Sequence, residues 1–137
     1  TAKLPFKRGA LFLCCDMLTQ SAGEIWLALL DILQPTQLSD LGQNGLRIGF
    51  SGTTLYVQEY TGGVGTTRFS GARKTFPNTL ALELGDVDTY AAWECGTARV
   101  IGQSDTFLPT TLYATMYVYT TGNRTFDNFR LLLDYGG

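Results

Sequence analysis

The chain has 137 residues, 45% hydrophobic and only 16% charged, with a formal net charge of −2. That length suits one domain spanning 1–137, and that balance is the opposite of a disordered chain's. No stretch clusters Lys or Arg, so a nucleic-acid footprint is missing; histidine is absent, which removes Ser-His-Asp and Cys-His catalysis, His-based zinc sites and a histidine pH switch.

The first apolar segment runs from Ala10 to Leu18 and stops at the turn signal Gln20-Ser21-Ala22-Gly23. Glu24 to Leu33 follows. Its Leu and Ala favour helix, but its length and bounding turns suit a buried strand, and periodicity does not separate the two. Strand is preferred, because the two runs look like a hairpin. The longest apolar run, Ile25 to Leu33, carries Asp31 and falls far short of the ~20 residues that span a bilayer, so no membrane insertion is expected. No charged leader precedes an apolar region at Thr1, so no signal peptide is expected there. Gln34 to Asn44 is polar, contains Pro35 and reads as a loop.

The clearest hairpin comes next. Leu46, Ile48 and Phe50 share one face; Ser51-Gly52-Thr53-Thr54 turns the chain; Leu55 and Val57 resume that face, while Tyr56, Gln58 and Tyr60 take the other. Thr61-Gly62-Gly63-Val64-Gly65 reads as a flexible loop, and Thr66 to Ser70 as a short strand. In Thr79 to Leu84, Leu80, Leu82 and Leu84 face inward and Glu83 outward. Thr89 to Trp93 and Ala98 to Gly102 flank a Gly-containing turn at Glu94-Cys95-Gly96-Thr97. From Thr111 to Tyr119 the alternation is strictest: Leu112, Ala114, Met116 and Val118 against Tyr113, Thr115, Tyr117 and Tyr119. Phe126 to Tyr135 closes the chain. About nine to eleven short strands at this spacing, with no long amphipathic helix, predict an all-β antiparallel sandwich.

The three cysteines are Cys14, Cys15 and Cys95. Adjacent cysteines on a strand point to opposite faces, so at most one of the pair reaches Cys95. The favoured reading makes all three small buried hydrophobes; a bridge from Cys14 or Cys15 to Cys95 stays open.

Phe126-Asp127-Asn128-Phe129-Arg130-Leu131 resembles the closing strand of a concanavalin-like (laminin-G-like) jelly roll. Asn44-Gly45-Leu46-Arg47-Ile48-Gly49-Phe50, leading into Leu55 to Tyr60, is similar to the paired strands of those domains. Thr89-Tyr90-Ala91-Ala92-Trp93-Glu94-Cys95-Gly96 sits where the family often ends a tyrosine strand in Asn-Gly, with Cys95 here in place of that Asn. The resemblance implies a jelly-roll β-sandwich of the kind found in lectins, carbohydrate-binding modules, viral and phage fibre heads, and some glycoside hydrolases. Fold alone does not choose among these. It also implies a structural calcium near the closing strand, with Asp127 the best match by motif; Asp86, Asp88 and Asp105 are further oxygen ligands of the right type.

Candidate chemistry centres on aromatic residues. Tyr56, Tyr60, Tyr113, Tyr117 and Tyr119 share one face if their strands share a sheet. Tyrosine rings stack on sugar C–H faces and their hydroxyls bond to sugar hydroxyls, with Arg47, Gln58 and Glu83 as polar partners. The competing reading is cross-strand packing or a contact between copies of the chain. Trp93 is either a sugar platform at a hairpin rim or core, and Trp26 is expected in the core. For hydrolysis, two carboxyl groups must face each other. Glu83-Leu84-Gly85-Asp86-Val87-Asp88 is the only acidic cluster, and its spacing does not supply that pair. The expectation is a non-catalytic module binding a glycan or cell-surface polysaccharide, on an extracellular or virion surface such as a phage fibre. A structural fibre, pilus or capsid subunit that assembles as a homo-oligomer is the first alternative, and a glycoside hydrolase the second.

Overall fold

A computed structural model describes residues 2–5, 10–20, 23–31, 44–85, 89–103, 111–119 and 124–134. Eleven strands are found among them: β1 (Ala2–Pro5), β2 (Ala10–Gln20), β3 (Glu24–Leu30), β4 (Gly45–Ser51), β5 (Thr54–Thr61), β6 (Val64–Ala72), β7 (Asn78–Leu84), β8 (Thr89–Glu94), β9 (Thr97–Gln103), β10 (Thr111–Tyr119) and β11 (Arg124–Asp134). They form two antiparallel sheets, a six-stranded one in the order β1-β10-β3-β4-β5-β6 and a five-stranded one in the order β11-β2-β7-β8-β9. This is a jelly-roll β-sandwich, as the closing-strand motif implied.

The period-2 pattern explains how the sheets stack. Ile25, Leu27 and Leu29 of β3, Leu46, Ile48 and Phe50 of β4, and Leu55 and Val57 of β5 turn one way. They meet Leu11, Leu13, Cys15 and Met17 of β2, Leu80, Leu82 and Leu84 of β7, and Tyr90 and Ala92 of β8, and all are buried. A strand with one covered face alternates in this manner, and burying each such side chain contributes about 1.5–3 kcal/mol.

The β4–β5 hairpin forms with the expected shared face, Ile48 opposite Val57 and Phe50 opposite Leu55. The Gly62-Gly63 stretch is tighter than expected. Thr61 pairs with Val64, and Gly62 and Gly63 lie at φ 57° and 81°, the left-handed pair a two-residue hairpin turn requires. The hairpin expected between the first two apolar runs does not form. β2 pairs with β7 and β11, whereas β3 pairs with β4 and β10. β2 ends at Gln20 in one sheet and β3 begins at Glu24 in the other, directly after Gly23, whose φ is 76°.

Two carboxylates lie at inward positions and are held by partners. Glu59, 4% exposed, accepts from Arg68 Nε at 3.0 Å and from the hydroxyl of Tyr90 on the opposite sheet at 3.0 Å. Burial, and then the Glu59 charge, push the Tyr90 phenol up to about 12, so this hydroxyl stays a donor joining the sheets. Glu94 is fully buried. Its Oε2 accepts from the Lys74 amide (2.7 Å) and Asn78 Nδ2 (2.8 Å), and its Oε1 from Arg99 Nε (3.1 Å) and Nη2 (2.8 Å).

All three cysteines are free. Cys14 and Cys15 are buried and Cys95 is exposed, so the reading of three buried thiols fails at Cys95. Cys95 occupies the β8–β9 turn at φ 47°, followed by Gly96 at 77°. Asn tolerates that left-handed conformation better than Cys. Cys95→Asn is therefore expected to stabilise the fold by about 0.5–1 kcal/mol, read as a higher urea midpoint; an unchanged or lower midpoint contradicts it.

Candidate glycan-binding face

The outer face of the six-stranded sheet is built in cross-strand rows. In one row Trp26 stands opposite Gly49, and Gly49 opposite Tyr56. In the next, Thr115, Ala28, Arg47, Gln58 and Thr67 follow one another across five strands. In the third the order is Tyr113, Leu30, Gly45, Tyr60 and Gly65. Tyr56, Gln58, Tyr60, Arg47 and Tyr113 thus share one face. Tyr113 and Tyr60 lie three strands apart, about 14 Å at the usual strand spacing. Tyr117 stands opposite Trp26 in the register; the side chains of Tyr117 and Tyr119 lie outside the described residues.

Glycines make the close packing of this face possible. A Cβ on Gly49 would lie 2.7 Å from Trp26 Cε3, and one on Gly65 2.8 Å from Tyr60 Cε1. With no side chain at position 49, the Trp26 and Tyr56 rings approach to 6.3 Å, tilted by 39°. Trp26, Ala28 and Leu30 form a second apolar cluster, with Tyr56 and Tyr60 packed against it. Trp26 is therefore buried as expected, but on the outer face of its sheet and not between the sheets.

Arg47 organises the polar part. Its guanidinium lies 3.6 Å over the Trp26 ring and 5.4 Å from that of Tyr60, within cation–π range. Its Nε donates to Gln58 Oε1 at 2.8 Å, and its Nη2 donates to the same oxygen. The Tyr60 hydroxyl also points to Gln58 Oε1, at 3.4 Å, and Gln58 Nε2 donates to Thr67 Oγ1 at 3.2 Å. The amide of Gln58 is thereby locked with its oxygen toward Arg47 and its N–H groups toward β6. Burial pushes the Tyr60 phenol up, so its O–H remains a donor at neutral pH. Arg47 is only 4% exposed. At that burial its guanidinium is turned to Trp26 and Gln58, and the partly exposed Tyr56, Gln58 and Tyr60 are the groups that face outward.

Glu83 and Trp93 do not join this face. They lie on the outer face of the five-stranded sheet, where Trp93 Nε1 donates to Glu83 Oε2 at 3.0 Å. Trp93 is therefore neither core nor part of the tyrosine face. The hairpin position was legible, but which sheet carries it depends on the crossings between sheets.

Asp127 sits at a bulge of β11, where pairing skips from Asp127 to Arg130. Its Oδ1 accepts from the Asn128 amide at 2.7 Å, and Asn128 lies at φ 54°. Asn128 Nδ2 and Thr79 Oγ1 donate to the two oxygens of Asp16, and hold that carboxyl below its ordinary value. Among the described residues no three acidic, histidine or cysteine side chains converge. Asp127 Oδ1 and both oxygens of Asp16 are thus engaged with donors at the bulge. Asp86, Asp88 and Asp105 lie outside the described residues.

No protein-family model matches the chain, and no curated protein matches it. Solved structures do share its fold. Carbohydrate-binding module CBM66 from Bacillus subtilis superposes with a TM-score of 0.61 at 9% identity, covering 96% of this chain and 77% of that one. A tetrameric galectin from the ball sponge Cinachyrella sp. gives 0.54 at 16% identity, covering 98% and 99%. Sheep galectin-11, in complex with glycerol, gives 0.51 at 12% identity, covering 90% and 95%.

Proposed function

We propose that this domain is a non-catalytic glycan-binding module and that the outer face of the six-stranded sheet is its site. The observation that carries the reading is the outward stripe along β5 of partly exposed Tyr56, Gln58 and Tyr60, held in place by the Arg47–Trp26 stack. Aromatic rings offer C–H stacking surfaces, while the Tyr60 hydroxyl, the Gln58 amide and Thr67 offer directional hydrogen bonds. The likeness in fold to a carbohydrate-binding module and to galectins supports the same reading. Glu24 is the only carboxylate among the described residues of this face, and it accepts from Trp26 Nε1 at 3.0 Å. A two-carboxylate hydrolysis has no second acid there. An extracellular setting, on a cell or virion surface, suits such a module.

The test is a glycan array with the wild type, followed by titration of the best glycan into Arg47→Met. That variant keeps the side-chain stem and removes the guanidinium that fixes Gln58. Affinity is expected to fall about tenfold, the loss of one charge-assisted hydrogen-bond set. An array with no bound glycan, or an Arg47→Met affinity equal to wild type, contradicts the proposal.

A further inference from the structure

The outer face of the five-stranded sheet carries a two-lobed trough outside the tyrosine site. Its larger lobe, about 340 Å³, is lined by Phe12, Cys14, Ala81, Trp93, Glu83 and Arg130, together with Thr79 and Gly96. The smaller, about 250 Å³, shares Glu83 and Trp93 with it and ends at Ile101. The register explains the hollow. Cys14 on β2 stands opposite Ala81 on β7, and Ala81 opposite Trp93 on β8. Two small residues thus form a floor beside a large ring, and Phe12 and Glu83 are paired one row away. The larger lobe falls within the volume range of small-molecule sites.

The chemistry of the walls selects the ligand. Phe12, Cys14, Ala81 and Trp93 offer contact area but few hydrogen bonds, which suits a planar ring without hydroxyls better than a sugar. At the junction of the lobes, Glu83 Oε2 accepts from the Trp93 indole, and Oε1 has no hydrogen bond among the described residues. A carboxylate oxygen beside an indole ring favours a cation. Arg130, on β11 two strands away from Glu83 on β7, also lines the larger lobe and repels a positive charge there. We propose that this trough binds an aromatic ammonium ion, its ring on the Cys14–Ala81 floor against Trp93 and its ammonium group paired with Glu83.

The probe is 2-phenylethylammonium, titrated into 15N-labelled protein while the two tryptophan indole N–H signals are followed, with Trp93→Phe assigning them. The Trp93 signal is expected to shift saturably and the Trp26 signal to stay in place. The neutral analogue 2-phenylethanol is expected to bind about tenfold more weakly, and Glu83→Gln to weaken the ammonium by the same factor. Ala81→Leu, which fills the floor, is expected to abolish binding. An unmoved Trp93 signal, equal binding of alcohol and ammonium, or full binding by folded Glu83→Gln overturns the proposal. These readouts involve no glycan, so they stand or fall separately from the tyrosine face.

Discussion

Gly49→Ala is expected to destabilise the domain by about 3 kcal/mol, the upper end of ordinary overpacking costs. A Cβ at position 49 would stand 2.1 Å from the backbone oxygen of Ile25 and 2.9 Å from Trp26 Cα. Neither atom belongs to a flexible side-chain tip, so relief requires β3 and β4 to separate. The same separation moves Trp26 from beneath Arg47, so any residual folded protein loses the arrangement of Gln58 and Tyr60 as well. Urea unfolding followed by tryptophan fluorescence checks this. A midpoint within error of wild type would show that the close approach of β3 and β4 is not required.

Arg99→Ala carries an effect of similar size with a distinct pH signature. Glu94 is fully buried, and burial pushes its carboxyl up; hydrogen bonds from Asn78, the Lys74 amide and Arg99 outweigh that and leave it below the ordinary 4.5. Removing one member of a buried charge pair costs about 3–5 kcal/mol. Arg99 retains 23% of its side-chain exposure, so the lower end is expected, about 3 kcal/mol. A depressed folded-state value means that Glu94 contributes stability above pH 4.5 and loses it as pH falls through the folded value. The gap between wild type and Arg99→Ala is therefore widest at neutral pH and closes under acid, once Glu94 is protonated in both. Unfolding curves along a pH series read this directly; a gap that stays constant or widens toward acid contradicts the role given to Glu94.

These two positions also show where the sequence is informative. Alternation revealed β4, β5, β7 and β10 with the correct inward faces, because one phase of each is apolar and the other is polar, aromatic or small; in β4 that other phase, Gly45, Arg47 and Gly49, is buried as well. The near-continuous apolar runs of β2 and β3 carry no such phase. Trp26, Ala28 and Leu30 are buried on the outer face while Ile25, Leu27 and Leu29 are buried between the sheets, so apolar residues occur on both. The turn signal Gln20-Ser21-Ala22-Gly23 suits a hairpin and a crossing between sheets equally well, so the pattern does not force the hairpin.

The tyrosine face was legible for the same reason as β5: Tyr56, Gln58 and Tyr60 occupy the phase opposite Leu55 and Val57. The Arg47–Trp26 stack was not, because these residues sit on different strands and one row apart, and only the register brings them together. Glu59 and Glu94 each stand among non-acidic neighbours in the sequence. Continuing the inward phase from Leu55 and Val57 to Glu59, and from Tyr90 and Ala92 to Glu94, places each carboxylate on the core side. A charged residue in an apolar phase was the available signal, and buried charges require partners.

The most direct test of the central claim asks which sheet binds the glycan. The glycan chosen by the array is titrated into wild type, Tyr56→Ala/Tyr60→Ala and Trp93→Ala, each first shown to be folded and sized by light scattering. Loss of binding in the double variant, with wild-type affinity retained in Trp93→Ala, is the predicted result. Retained binding in the double variant, or loss confined to Trp93→Ala, would move the site away from the six-stranded sheet and contradict the account.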